Sequence, residues 1–261
     1  MHPHHERAIA AVTESLRADP SIRALLLGGS IAHGFERPES DVDLMLVVDE
    51  DDWEQRMREG RAVFMTADGC DWPGGFAEGK YVSERFLAEV ARRGSDPARF
   101  AFADARVLFS RMDGLEPLLA AIARYPVELK AERIRRFGAQ FEAWHWYAHE
   151  GLKLGDRHLL ALGVARTVLF GGRMVLAHNE RLFPYHKWFL RVLERAKDRP
   201  ADLMERIATL HADPSQATLL GFWATIRNFR TWEDADQPWP VQFLRDSELN
   251  WMDGRTPVDD L

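Results

Sequence analysis

The sequence predicts an α+β architecture, a mixed-sheet half over residues 1–115 followed by an all-helical half over residues 116–261. Three observations carry that reading. Before residue 115, short apolar runs bounded by glycine, proline or polar clusters alternate with amphipathic stretches. After it, every periodic segment repeats at helical spacing. Charge divides at the same place: the first half holds 14 basic and 21 acidic residues, the second 20 of each, so the excess carboxylates lie in the sheet half.

Taken in order, residues 6–18 read as an amphipathic helix with Ile9, Val12 and Leu16 on one face, ended by Pro20. Arg23 to Leu27 is a strand stopped by Gly28-Gly29, and Asp43 to Val48 is a second strand. A polar helix over 49–61 follows, then a third strand over 62–66 and a fourth over 76–82, the last ending at the helix-capping Ser83. Residues 84–93 are helical, and Arg106 to Phe109 is a fifth strand. Helical spacing then occupies 115–124, 127–152, 157–178, 187–197, 201–211 and 215–229, broken by Pro126, Gly155, Pro184, Pro200 and Pro214. These segments make a bundle of about five helices. From Thr231 onward the chain is rich in Trp, Pro and Asp, and it is expected to form an ordered tail that packs Trp232, Trp239 and Trp251 onto the body.

Composition narrows the function classes. Neither half is basic, which argues against broad electrostatic binding to nucleic acid or to an anionic membrane. No uninterrupted apolar run of about 18 residues marks a transmembrane helix, and the opening MHPHHERAIA has no apolar core of a secretion signal, so a cytoplasmic location is expected. One cysteine, Cys70, rules out an internal disulfide framework and gives no sign of nucleophilic catalysis.

The chemistry concentrates in LLLGGSIAHGFERPESDVDLMLVV, Leu25 to Val48. Glycines after a strand let the backbone approach a ligand closely, and their N–H groups can face phosphate oxygens. Ser30 adds a hydroxyl donor. Residues two apart on a strand share a face, so Asp41 and Asp43 can offer two carboxylates to one site. Paired carboxylates together with substrate phosphates are a usual way to hold Mg²⁺, and two such ions can stabilise attacking and leaving oxygens in phosphoryl or nucleotidyl transfer.

With strands on both sides and about ten residues between the parts, Gly28-Gly29-Ser30 and Asp41-Val42-Asp43-Leu44 resemble the signature of the nucleotidyltransferase superfamily related to DNA polymerase β. Ala32 and Gly34 stand where its small antibiotic-modifying branch often has small residues. The motif spans about 20 residues, and the order of sheet half and helical half extends the likeness over most of the chain. The resemblance implies transfer of a nucleoside monophosphate from a nucleoside triphosphate, ATP foremost, to a hydroxyl of a small-molecule acceptor, with two Mg²⁺ ions. It also implies a third carboxylate on a later strand. Glu78 is the candidate, with Asp71 and Asp104 as rivals, and Lys80 shares the strand face of Glu78. In the helical half, Lys187 matches a lysine that contacts the β- and γ-phosphates in relatives of this kind, with Arg166 and Arg173 as possible helpers and a cleft between the halves as the expected site.

Other readings stay beside this one. A protein-modifying adenylyltransferase of toxin–antitoxin type is usually a bare α/β domain, so the helical half counts against it. A non-catalytic nucleotide-binding relative would not need the intact Asp41/Asp43 pair. The zero balance of residues 116–261 counts against a polycationic acceptor. His145 and His149 have the i, i+4 spacing of a metal pair but lack the HExxH glutamate. Trp144, Trp146 and Tyr147 are read as an aromatic face, a core wall before an acceptor wall. His2, His4 and His5 are read as a mobile terminus with incidental metal affinity.

Overall fold

In a computed structural model that describes residues 1–232, 237–254 and 256–261, the chain divides into two units, Met1–Arg124 and Tyr125–Leu261. Residues 233–236 and 255 of the expected tail lie outside the described residues.

The first unit is built on a five-stranded sheet of order β3-β4-β2-β1-β5, with β1 Ala24–Leu27, β2 Val42–Val48, β3 Val63–Thr66, β4 Ala77–Ser83 and β5 Arg106–Ser110. Strand β1 runs antiparallel to β2 and β5, β3 runs antiparallel to β4, and β2 and β4 are parallel. The alternation of β1 and β2 makes two cores. Leu25, Leu27, Val42, Leu44 and Leu46 meet helix α1 (Pro3–Arg17) through Ile9, Val12 and Leu16. Ala24, Leu26, Met45 and Val47 meet α4 (Glu84–Arg93) and α6 (Leu115–Ala123) through Leu87, Val90, Leu119 and Ile122. The remaining helices are the single turn α2 (Gly29–Ala32), α3 (Glu50–Arg58) and α5 (Asp96–Phe100).

Three departures from expectation have local causes. Helix α1 starts at Pro3 rather than residue 6, because proline suits the first helical position, where no N–H is needed. The short α5 is capped by the Ser95 hydroxyl, which accepts from Ala98 N–H, and has proline in its first turn. Helix α6 lies in the first unit, since Leu115, Leu119 and Ile122 bury their face in the sheet core; the division comes one helix later than residue 115.

The second unit consists of α7 (Lys130–Leu154), α8 (Arg157–His178), α9 (Phe189–Glu194), α10 (Leu203–Ala212), α11 (Gln216–Phe229) and α12 (Trp239–Phe243). Helices α7 and α8 are joined through Gly155, in the left-handed region, and Asp156, whose carboxylate accepts from the N–H groups of His158 and Leu159. They pack close because Gly163 presents no side chain to Ala148: a Cβ there would stand 2.7 Å from the Ala148 backbone. Helix α8 is long and apolar enough to cross a membrane, and 67% of its most apolar window is buried within the protein, as suits the central helix of a bundle.

The tail packs differently from expectation. Trp232 is buried and its indole N–H donates to the Ile226 carbonyl at 2.8 Å, whereas Trp239 is 38% and Trp251 75% exposed. Polar contacts also fasten this segment. Buried Asp246 pairs with Arg136 at 2.9 Å, and the Arg173 guanidinium donates to the carbonyls of Val258 and Asp259 and to a main-chain oxygen of Leu261.

Candidate active site

The parallel pairing of β2 and β4 sets Asp43 directly beside Glu78. Asp41 precedes β2 by one residue, two positions before Asp43, and so takes the same face. Carboxylate oxygens of Asp41, Asp43 and Glu78 all lie within 4.8 Å of one another, and all three residues are half-buried. By parity this is the face of Met45 and Val47, at the end of the sheet where β2 and β4 begin. At such a separation two carboxylates near a protein surface repel by about 3 kcal/mol per pair. A cluster of this kind calls for compensating positive charge, and its hard oxygen donors suit Mg²⁺.

The glycine turn is built against the same aspartate. Gly28 N–H donates to the Asp43 carbonyl at 2.9 Å, which ties the end of β1 to the start of β2. Gly29 has φ +60°, and a Cβ on it would stand 1.7 Å from Asp43 Oδ2. Only glycine fits there, both for backbone conformation and for space. Ser30 follows, buried, with its hydroxyl lacking a hydrogen-bond partner. A buried hydroxyl without a partner is costly, and this one keeps a donor that no other group of the chain uses.

Lys80, two residues after Glu78 and beside Met45 in the register, shares the carboxylate face. The residue is exposed, yet enough protein surrounds the ammonium for burial to pull its pKa below the ordinary value, with the Asp43 charge opposing that shift. The rival carboxylates are engaged elsewhere. Asp71 is exposed and bonded to Arg7 at 2.6 Å. Asp104 accepts from His33 Nδ1 at 2.7 Å, with the imidazole stacked on Phe100.

In the second unit, Lys187 is exposed on a 3₁₀ turn, His186–Trp188, with Nζ 5.1 Å from the centre of the Trp188 ring. Arg166 pairs with Asp259, and Arg173 is buried between the rings of Phe137 and Phe183, so these two arginines hold the tail. On α7, one imidazole of His145 and His149 donates to the other, their Nε2 atoms 3.2 Å apart; burial, then the neighbouring His149, lowers the His145 pKa to about 4. Trp144 and Tyr147 pack under Arg166 and against Phe243, while Trp146 faces outward.

The amino-terminal histidines correct the reading of a mobile terminus. His5 is fully buried, and both His4 and His5 reach carbonyls of the loop before Asp41. The signal was present in the sequence: His5 falls on the helical face of Ile9, Val12 and Leu16. Burial, followed by the charges of Asp71 and Asp68, raises the Cys70 thiol pKa, consistent with an unreactive cysteine.

No protein-family model matches the chain, and no curated protein matches it. Among solved structures, it is similar to a nucleotidyltransferase-like protein from Exiguobacterium sibiricum, with a TM-score of 0.48 and 12% identity, over 95% of this chain and 87% of that one.

Proposed function

We propose that this protein is a Mg²⁺-dependent cytoplasmic nucleotidyltransferase that moves a nucleoside monophosphate from a nucleoside triphosphate, ATP foremost, to a hydroxyl of a small-molecule acceptor such as an antibiotic. The observation that supports it most is the meeting of Asp41, Asp43 and Glu78 against a glycine whose Cβ position coincides with the Asp43 carboxylate.

Each part has a task. Asp41 and Asp43 would hold two Mg²⁺ ions, which when bound neutralise phosphate charge and make the acceptor hydroxyl a better nucleophile. The Gly28-Gly29 backbone admits the triphosphate close to the strand end, and the Ser30 hydroxyl donates to a phosphate oxygen. Glu78 accepts the proton of the acceptor hydroxyl, whose oxygen forms a bond to the α-phosphorus as the α–β bridging bond breaks and pyrophosphate leaves. Lys187 is the cation proposed for the β- and γ-phosphates.

The test is incubation of purified protein with Mg²⁺, α-labelled nucleoside triphosphates and a panel of hydroxyl-bearing acceptors, scored for labelled product and pyrophosphate. Matching amounts of both, absent in Asp43→Asn, are expected. Equal turnover by Asp43→Asn, or no product across the panel, would contradict the proposal.

A further inference from the structure

Asp41 is the ligand with the least support from the sheet. Asp43 sits inside β2, bonded through its carbonyl to Gly28 and paired in register with Glu78, and Glu78 lies between β2 and β3. Asp41 comes before the first residue of β2, at the end of a turn closed by Ser40 N–H donating to the Arg37 carbonyl at 3.0 Å and Arg37 N–H donating to the Ser40 hydroxyl at 2.9 Å. From across the fold, the first turn of α1 reaches this segment twice. His5 Nε2 donates to the Ser40 carbonyl at 3.0 Å, and His4 Nε2 to the Pro38 carbonyl at 2.9 Å. The Ser40 carbonyl belongs to the peptide unit that carries the Asp41 nitrogen, so fixing that oxygen fixes the plane from which the Asp41 side chain departs.

The chemistry of His5 argues that this bond is what the residue is for. A carbonyl only accepts, so the proton is on Nε2 and Nδ1 is left as a lone-pair acceptor. That Nδ1 is buried without a partner. Leaving such an atom dry costs about 1–3 kcal/mol, a cost that an apolar side chain on the same buried face would avoid. The imidazole is in turn held edge-on to Trp72, ring centres 5.3 Å apart, and the rest of α1 is anchored through Ile9, Val12 and Leu16.

We infer that His5, assisted by His4, is a positioning residue for the metal site: it straps the Arg37–Ser40 turn to the core helix and so sets where Asp41 presents its carboxylate. The inference rests on the metal-site reading proposed above.

The experiment is titration of the full chain with Mn²⁺ alone, with free Mn²⁺ followed by electron paramagnetic resonance, in the wild type, Asp43→Asn, His5→Leu and His5→Gln, and with thermal unfolding of each as a check on folding. Glutamine can carry an amide N–H to about the place of Nε2; leucine fills the volume without a donor. His5→Leu is expected to bind Mn²⁺ about tenfold more weakly, the low end for loss of a group that orients a metal ligand. His5→Gln is expected to recover most of that loss. A folded His5→Leu with wild-type affinity, or a His5→Gln as weak as His5→Leu, overturns the strap while the loss of binding in Asp43→Asn leaves the metal site standing. No Mn²⁺ binding by the wild type overturns both. If His5→Leu does not fold, His4→Leu carries the test at a half-exposed position: weaker binding supports the strap, and unchanged affinity overturns it.

Discussion

In the second unit, a buried cation meets its acceptors inside the fold: the Arg173 guanidinium lies between Phe137 and Phe183 and donates to three main-chain oxygens of the tail, and buried Asp246 has Arg136 beside it. In the first unit, three carboxylates of one sign converge within 4.8 Å at the end of a sheet, against a glycine turn with a buried, unpartnered serine hydroxyl. The first arrangement sets charged groups against partners within the chain and serves stability. The second gathers like charges with Lys80 on the same strand face, and its three carboxylates are a group that could hold a metal ion.

The largest expected effect comes from putting a side chain where none fits. Gly29→Ala drives a methyl into the Asp43 carboxylate and should lower transferase kcat/KM by about 10³-fold, beyond the roughly 10² that follows a 1 Å misplacement. Activity within tenfold of wild type would show that Asp43 is not held where its chemistry requires. Next, Arg173→Met should cost about 3 kcal/mol in urea unfolding, because buried carbonyls lose a charged donor. A variant as stable as the wild type would remove the contrast between the two units. Glu78→Gln should behave oppositely, with thermal stability kept or raised as one charge leaves the cluster, while kcat falls about 10²-fold, the low end for loss of a general base. Reduced stability with undiminished kcat would make Glu78 structural. The smallest effect is expected at Lys187: alanine there should raise the KM for nucleotide about tenfold, or 1.4 kcal/mol, with kcat nearly unchanged. Unaltered nucleotide kinetics would return Lys187 to an ordinary surface role.

Much of the first unit was legible because its strands are apolar runs closed by glycine or polar residues, as in ALLL before Gly28-Gly29 and VDLMLVV after Asp41. The Asp41/Asp43 pair was legible for the same reason, since a strand's alternation fixes which residues share a face. That Glu78 rather than Asp71 or Asp104 joins them depends on the parallel register of β2 and β4, a long-range pairing that local pattern does not encode. The amphipathic face of α6 was visible, but not that its partner is the sheet rather than the helices that follow it. Aromatic content misled at Trp239 and Trp251, where the tail is held by Asp246 and Arg136 instead of by indole burial. His5 was read by its nearness to the terminus, although its helical phase already placed it with Ile9 and Val12.

The most direct test of the carboxylate site is a crystal structure of the protein with Mn²⁺ and a non-hydrolysable nucleoside triphosphate analogue, with the metal located by anomalous scattering. The expected result is Mn²⁺ roughly 2.0–2.6 Å from carboxylate oxygens of both Asp41 and Asp43, the range for hard cations on oxygen ligands, with the triphosphate beside Gly29 and Ser30. A metal bound elsewhere, or Asp41 and Asp43 turned to opposite faces with no anomalous peak between them, would contradict it.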